Sequence, residues 1–181
     1  MAEQSLMVPL GTRAPDFALP EVEGGGVRTR DDISGAKPLL VIFSSRHCPY
    51  MQHVKAELAR VARDYGDRVG IVGIASNDSR AYPADSPESM AEMAAEEGFG
   101  FPILHDETQE VARAYSAACT PDTFLYDSDL RLVYRGQLDG TRPGKGSADG
   151  RDIRAALDAL LAGRPLSADQ RPSAGCSIKW R

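Results

Sequence analysis

Cysteine is scarce in this chain: three residues in 181, at positions 48, 119 and 176, odd in number and far apart. That spacing excludes a small secreted disulfide scaffold and leaves redox or metal chemistry as the expectation for the thiols. Positive charge is not in excess either. With 21 Lys and Arg against 26 Asp and Glu the net charge is −5, and the two signs are interspersed. No basic stripe marks a nucleic-acid partner, and nothing in the pattern suits a membrane surface. No apolar run approaches the roughly 20 residues that span a bilayer. Met1-Ala2-Glu3-Gln4-Ser5 has no basic segment leading into an apolar one, so a cytoplasmic protein is expected. Gly24-Gly25-Gly26 opens no helix pattern of the phosphate-cradling kind, so no organic cofactor is expected.

What is present is ordinary globular composition, 42% hydrophobic and 26% charged, at a length that suits one domain. Its organising stretch is Phe43-Ser44-Ser45-Arg46-His47-Cys48-Pro49-Tyr50-Met51. Before it, Leu39–Phe43 is a short apolar, partly β-branched run, the pattern of a central strand covered on both faces. After it, Met51, Val54, Leu58, Val61 and Tyr65 recur at three and four and mark one helix face. Pro49 suits the first helical position, which puts Cys48 at the N-cap. There, unpaired N–H groups and the positive end of the helix dipole favour a thiolate, and a solvent-open Cys48 is expected to act as a nucleophile.

Elsewhere the periodicities predict a small N-terminal hairpin from Asp16–Leu19 and Val27–Thr29, and a second parallel strand over 68–75. A polar loop over 77–85 follows, then a helix capped by Ser86-Pro87-Glu88 and ended by Gly98. A short strand at 101–104, a helix over 107–115, an antiparallel hairpin of 122–126 with 130–135, and a helix over 151–162 complete the pattern. Arg135, at the end of that hairpin, is expected on the surface, the alternative being that it orients a peroxide or carboxylate substrate if its strand ends near the site. From Gly163 onward the chain has two prolines, a glycine and no period, and reads as an irregular tail. The 13 residues from Gly163 to Cys176 could span roughly 40 Å at about 3.3 Å each, enough to cross a small domain.

A strand, a cysteine-capped helix, a crossover strand, and an X-Pro step into a hairpin and last helix is the order of the thioredoxin fold. Ala14-Pro15-Asp16-Phe17, His47-Cys48-Pro49-Tyr50, Cys119-Thr120-Pro121-Asp122, Tyr134-Arg135-Gly136-Gln137-Leu138-Asp139 and Pro172-Ser173-Ala174-Gly175-Cys176-Ser177-Ile178-Lys179-Trp180 carry a narrower likeness. Together they resemble the peroxiredoxin-like branch of the alkyl hydroperoxide reductase and thiol-specific antioxidant (AhpC/TSA) family. The resemblance covers roughly residues 10 to 162. It implies an α/β domain over residues 1–162, with a central mixed β-sheet flanked by helices and an N-terminal hairpin extension, followed by a tail over 163–181 that carries Cys176.

By position, the resemblance makes Cys48 the first cysteine of a Cys-x-x-Cys motif and Pro121 the facing cis-proline, with Cys119 and Thr120 in the loop entering the site. Met51 stands where the second cysteine would be, and Ile42 where thioredoxins keep a buried carboxylate. Ser45 matches the hydroxyl residue of the peroxiredoxin motif, but Val41 fills its proline position. The implied activity is that of a thiol oxidoreductase in which Cys48 attacks a disulfide or hydroperoxide. Cys119 or Cys176 would resolve the adduct, and an external dithiol such as thioredoxin would reset the protein. His47 and Pro49 would support the Cys48 thiolate. Two other readings remain open: a copper-binding protein using Cys48, Met51 and His47 or His53, and a binding module without turnover. Nothing in the sequence sets the oligomeric state.

Overall fold

The structure, a computed structural model, describes residues 2–181. In chain order it begins with β1 (Glu3–Gln4), β2 (Ala18–Pro20), β3 (Val27–Thr29), α1 (Arg30–Ser34), β4 (Leu39–Phe43), α2 (Pro49–Tyr65) and β5 (Gly70–Ala75). It continues with α3 (Pro87–Glu97), β6 (Ile103–His105), α4 (Glu110–Tyr115), β7 (Cys119–Thr120), β8 (Asp122–Tyr126), β9 (Leu132–Arg135), α5 (Arg151–Leu161) and β10 (Ala174–Ser177).

The central sheet has the order β6-β5-β4-β8-β9, with β4, β5 and β6 parallel and β8 and β9 antiparallel. It is the mixed sheet that the motifs imply. β4 is buried at every residue because both its faces are covered. Leu40 and Ile42 pack with α2, α3 and α5, whereas Leu39, Val41 and Phe43 pack with α1 and α4 on the other side. Alternation along one strand thus feeds two cores. β2 and β3 form the expected hairpin, and Val22 N–H bonds Ile103 O to lay it along the β6 edge.

The helices begin where their caps are. Pro49 opens α2 with Cys48 at the N-cap, as the spacing predicts. Ser86 caps α3 by accepting Ser89 N–H at 3.2 Å, and Gly98 ends that helix in the left-handed conformation at φ +63°. α4 starts three residues later than its pattern suggests. Asp106 accepts the Ala112 N–H at 2.9 Å, so the turn before Glu110 caps the helix instead of joining it.

The tail departs most from expectation. Residues 164–173 are irregular, but Ala174–Ser177 form β10, the middle strand of a second sheet ordered β1-β10-β7. Ala-Gly-Cys-Ser has no alternation to reveal a strand, and pairing on both edges supplies what the pattern lacks. Beyond β10, Ile178 is buried in the α4-side core, Lys179 N–H bonds Asn77 Oδ1 at 2.8 Å, and Arg181 N–H bonds Gln109 Oε1 at 3.0 Å.

Candidate active site

Cys48 lies where the C-terminal end of β4 turns into α2, with backbone φ −74° and ψ 120° at the N-cap. The expectation of a solvent-open sulfur is corrected at this point. Cys48 is 0% exposed, no side-chain capping bond forms, and its S–H donates to the Thr120 carbonyl at 3.0 Å. The cause is β10, which pairs antiparallel with β7 in the register Cys176 to Thr120 and Ser177 to Cys119. Residues directly across an antiparallel pair share a face and sequence neighbours alternate, so Cys176 and Cys119 project from opposite faces of this ribbon.

Cys176, half-buried and packed against the core that holds Cys48, is the thiol that faces Cys48, and the two are not joined by a disulfide. Burial first, then hydrogen bonding to Cys48, raises the Cys176 thiol to about 11, while Lys179 and the Tyr50 N–H oppose the shift. Tyr50 is in the first turn of α2, so that free helix N–H is turned toward the tail sulfur. Gly175 is required here: a Cβ at this position would collide with the Thr120 carbonyl oxygen. Cys119 is wholly buried, and its S–H donates to Pro121 O at 3.7 Å. Burial and the nearby Asp122 charge push its thiol far above the usual cysteine range. Pro121 follows a cis peptide bond, as the resemblance implies, and the Thr120 hydroxyl is buried without a hydrogen-bond partner.

A buried carboxyl that sequence reasoning missed organises the other side of Cys48. Asp85, 1% exposed, accepts from Ser45 Oγ at 2.9 Å, Arg46 N–H at 2.6 Å, His47 N–H at 3.2 Å and Asn77 Nδ2 at 2.6 Å. It also contacts His47 Nδ1 at 2.6 Å. Because Asp85 serves as acceptor throughout, the imidazole proton belongs on Nδ1, and the ring stacks on Tyr82 with centroids 5.2 Å apart. His47 is therefore tied to Asp85 through Nδ1. The one available signal was the polar loop after the second parallel strand, on the strand end where such sheets place their sites. Arg46 completes the loop's anchorage through Ser89 O, Glu92 and Glu96 on α3.

Arg135 is not a surface residue. It is fully buried and pairs with Asp122 at 2.6 and 3.2 Å, donates to Leu6 O at 2.9 Å, and lies 3.6 Å from the Phe124 ring centroid. Burial raises the Asp122 carboxyl, and Arg135 pulls it back. The side chains named in the copper reading are each engaged in the fold. His47 Nδ1 is held by Asp85, His53 Nε2 bonds Thr141 Oγ1 at 2.8 Å, and Met51 is wholly buried in the core. Among the described residues no three His, Cys, Asp or Glu side chains gather as a metal site.

The AhpC/TSA family model matches residues 10–135, and these include the β4–α2 junction, the Asp85 loop and the Cys119-Thr120-Pro121 turn. The chain belongs to the AhpC/TSA family. An uncharacterized conserved protein of Geobacillus kaustophilus is 52% identical, with a TM-score of 0.96 over 100% of this chain and 97% of that one. The thiol:disulfide interchange protein DsbE of Allochromatium vinosum is 30% identical over 120 residues, 64% of this chain and 60% of that protein's length. The thioredoxin domain of a Bacteroides vulgatus thiol-disulfide oxidoreductase is 16% identical, with a TM-score of 0.64 over 83% of this chain and 99% of that domain, and so shares the fold. This AhpC/TSA protein is accordingly a thioredoxin-like member of a thiol-redox family.

Proposed function

We propose that this AhpC/TSA protein is a thiol–disulfide oxidoreductase in which Cys48 and Cys176 form the redox pair. The observation that carries this reading is the register of β10 on β7, which sets the Cys176 thiol against Cys48 at the N-terminus of α2. Cys119 projects to the opposite face and is held as a packed thiol.

The cycle starts when β10 lifts from β7. Cys48 is then uncovered, and the Tyr50 N–H and helix dipole that served Cys176 become available to the Cys48 thiolate. That thiolate attacks one sulfur of a substrate disulfide; the substrate S–S bond breaks, a mixed disulfide forms and the other substrate sulfur leaves as a thiolate. Cys176, deprotonated as β10 returns, attacks the Cys48 sulfur and displaces the second substrate sulfur. Two electrons pass from the protein to the substrate, leaving a Cys48–Cys176 disulfide. An external dithiol such as thioredoxin returns them.

Mapping disulfides by mass spectrometry after mild oxidation tests this. The expected product is an intrachain 48–176 disulfide, retained in Cys119→Ala and lost in Cys176→Ser, with disulfide-reducing turnover abolished in Cys48→Ser. A 48–119 bond, or no bond at Cys48, rejects the pairing.

A further inference from the structure

Two separated stretches of chain meet at the Asp85 carboxyl, and a third joins them through Asn77. Ser45, Arg46 and His47 lead directly into Cys48, and all three donate to it. Asn77 donates to it through Nδ2 at 2.6 Å, and the Oδ1 of the same amide accepts the Lys179 N–H at 2.8 Å. The Lys179 carbonyl is held in turn by Asp78 N–H at 2.9 Å and Gln109 Nε2 at 2.8 Å. Lys179 stands three residues beyond Cys176. One carboxyl therefore holds the loop that bears the first sulfur and, through a single amide, the strand that bears the second.

We propose that Asp85 is a positioning residue that sets the effective concentration of the Cys176 thiol at Cys48. This deepens the Cys48–Cys176 reading and rests on it. Asp85 is almost wholly buried, and its desolvation is offset by donors from the Ser45–His47 loop and by the Asn77 amide, whose oxygen in turn holds the tail. Its loss leaves the loop donors and the Asn77 amide short of an acceptor together, so the loop loosens directly and the tail through Asn77. Closing a disulfide between two held thiols is an intramolecular step, and its equilibrium follows how well the holding segments restrict them.

The test uses the full chain equilibrated with dithiothreitol. Oxidised dithiothreitol takes two electrons and two protons from Cys48 and Cys176, becomes the dithiol and leaves the protein disulfide. In Asp85→Asn the equilibrium constant for the 48–176 disulfide is expected to fall at least tenfold, about 30 mV for a two-electron couple. Asn77→Ala is expected to act in the same direction, and the double variant to show less than the product of the two effects, because both sit in one network. Asp158→Ala, which removes the Tyr65 hydroxyl's acceptor between α2 and α5, serves as a comparison for mere destabilisation and is expected to stay within twofold.

An equilibrium unchanged in Asp85→Asn, with the wild-type disulfide formed normally, overturns the positioning role and leaves the redox pair standing. A wild-type chain that forms no 48–176 disulfide overturns the pair itself. In that case the native alkylation rate of Cys48 still decides Asp85: a severalfold rise in Asp85→Asn keeps the anchoring role, and no rise removes it. Should Asp85→Asn fail to fold, Asn77→Ala carries both measurements by the same criteria.

Discussion

Cys176 shows how far the setting of one sulfur alters its chemistry. Its thiol is raised to about 11 by burial and by Cys48, against an ordinary thiol near about 8.5. A group whose folded pKa is raised favours the native state while it is protonated. This contribution is complete below about 8.5 and is lost as pH climbs through about 11. The alkylation rate of Cys176 with iodoacetamide, followed by peptide mass spectrometry, should therefore show half-ionisation near 11 in the native chain. In Cys48→Ala the hydrogen bond and charge of Cys48 are gone while burial persists, so the profile should move down without reaching the free-cysteine value. A native profile centred near 8.5 contradicts the placement of this thiol. Gly175, its neighbour, is equally constrained. Gly175→Val puts a branched side chain into the Thr120 carbonyl, lifts β10, and is expected to raise the native alkylation rate of Cys48 at least tenfold relative to wild type.

At the scale of elements, β4 and α2 were legible because each carries its own period. Five apolar residues without alternation mark a strand covered twice, and the spacing from Met51 to Tyr65 marks one helix face. Pro49 at the first helical position then located Cys48 without any tertiary information. β10 was not legible for the opposite reason. Ala-Gly-Cys-Ser has no pattern of its own, and its strand character is borrowed from β1 on one edge and β7 on the other. Asp85 escaped for a related reason: its partners at 45 to 47 lie 38 to 40 residues away in sequence, and a carboxyl in a polar loop looks solvated until those donors converge. The motif likeness was legible throughout, but the closed state of the site was not, since closure is a contact between segments.

On the scale of the molecule, the Asp122–Arg135 pair joins what the sequence keeps apart. Asp122 lies across from Phe43 at the C-terminal end of β4, and Arg135 reaches from β9 to the Leu6 and Ser116 carbonyls. Breaking a buried pair from one side leaves a desolvated charge behind. Arg135→Met is thus expected to cost about 3–5 kcal/mol in urea unfolding. A loss under about 1 kcal/mol, the scale of surface pairs, would show that the pair is hydrated.

The same Leu6 carbonyl follows closely after β1, the outer strand of the β1-β10-β7 sheet. Freeing β10 alone breaks two ladders, and carrying β1 away with it strains the grip of Arg135 on Leu6. The strands that cover Cys48 are thus fastened at two points, the β7 ladder beside the sulfur and the buried guanidinium that grips Leu6.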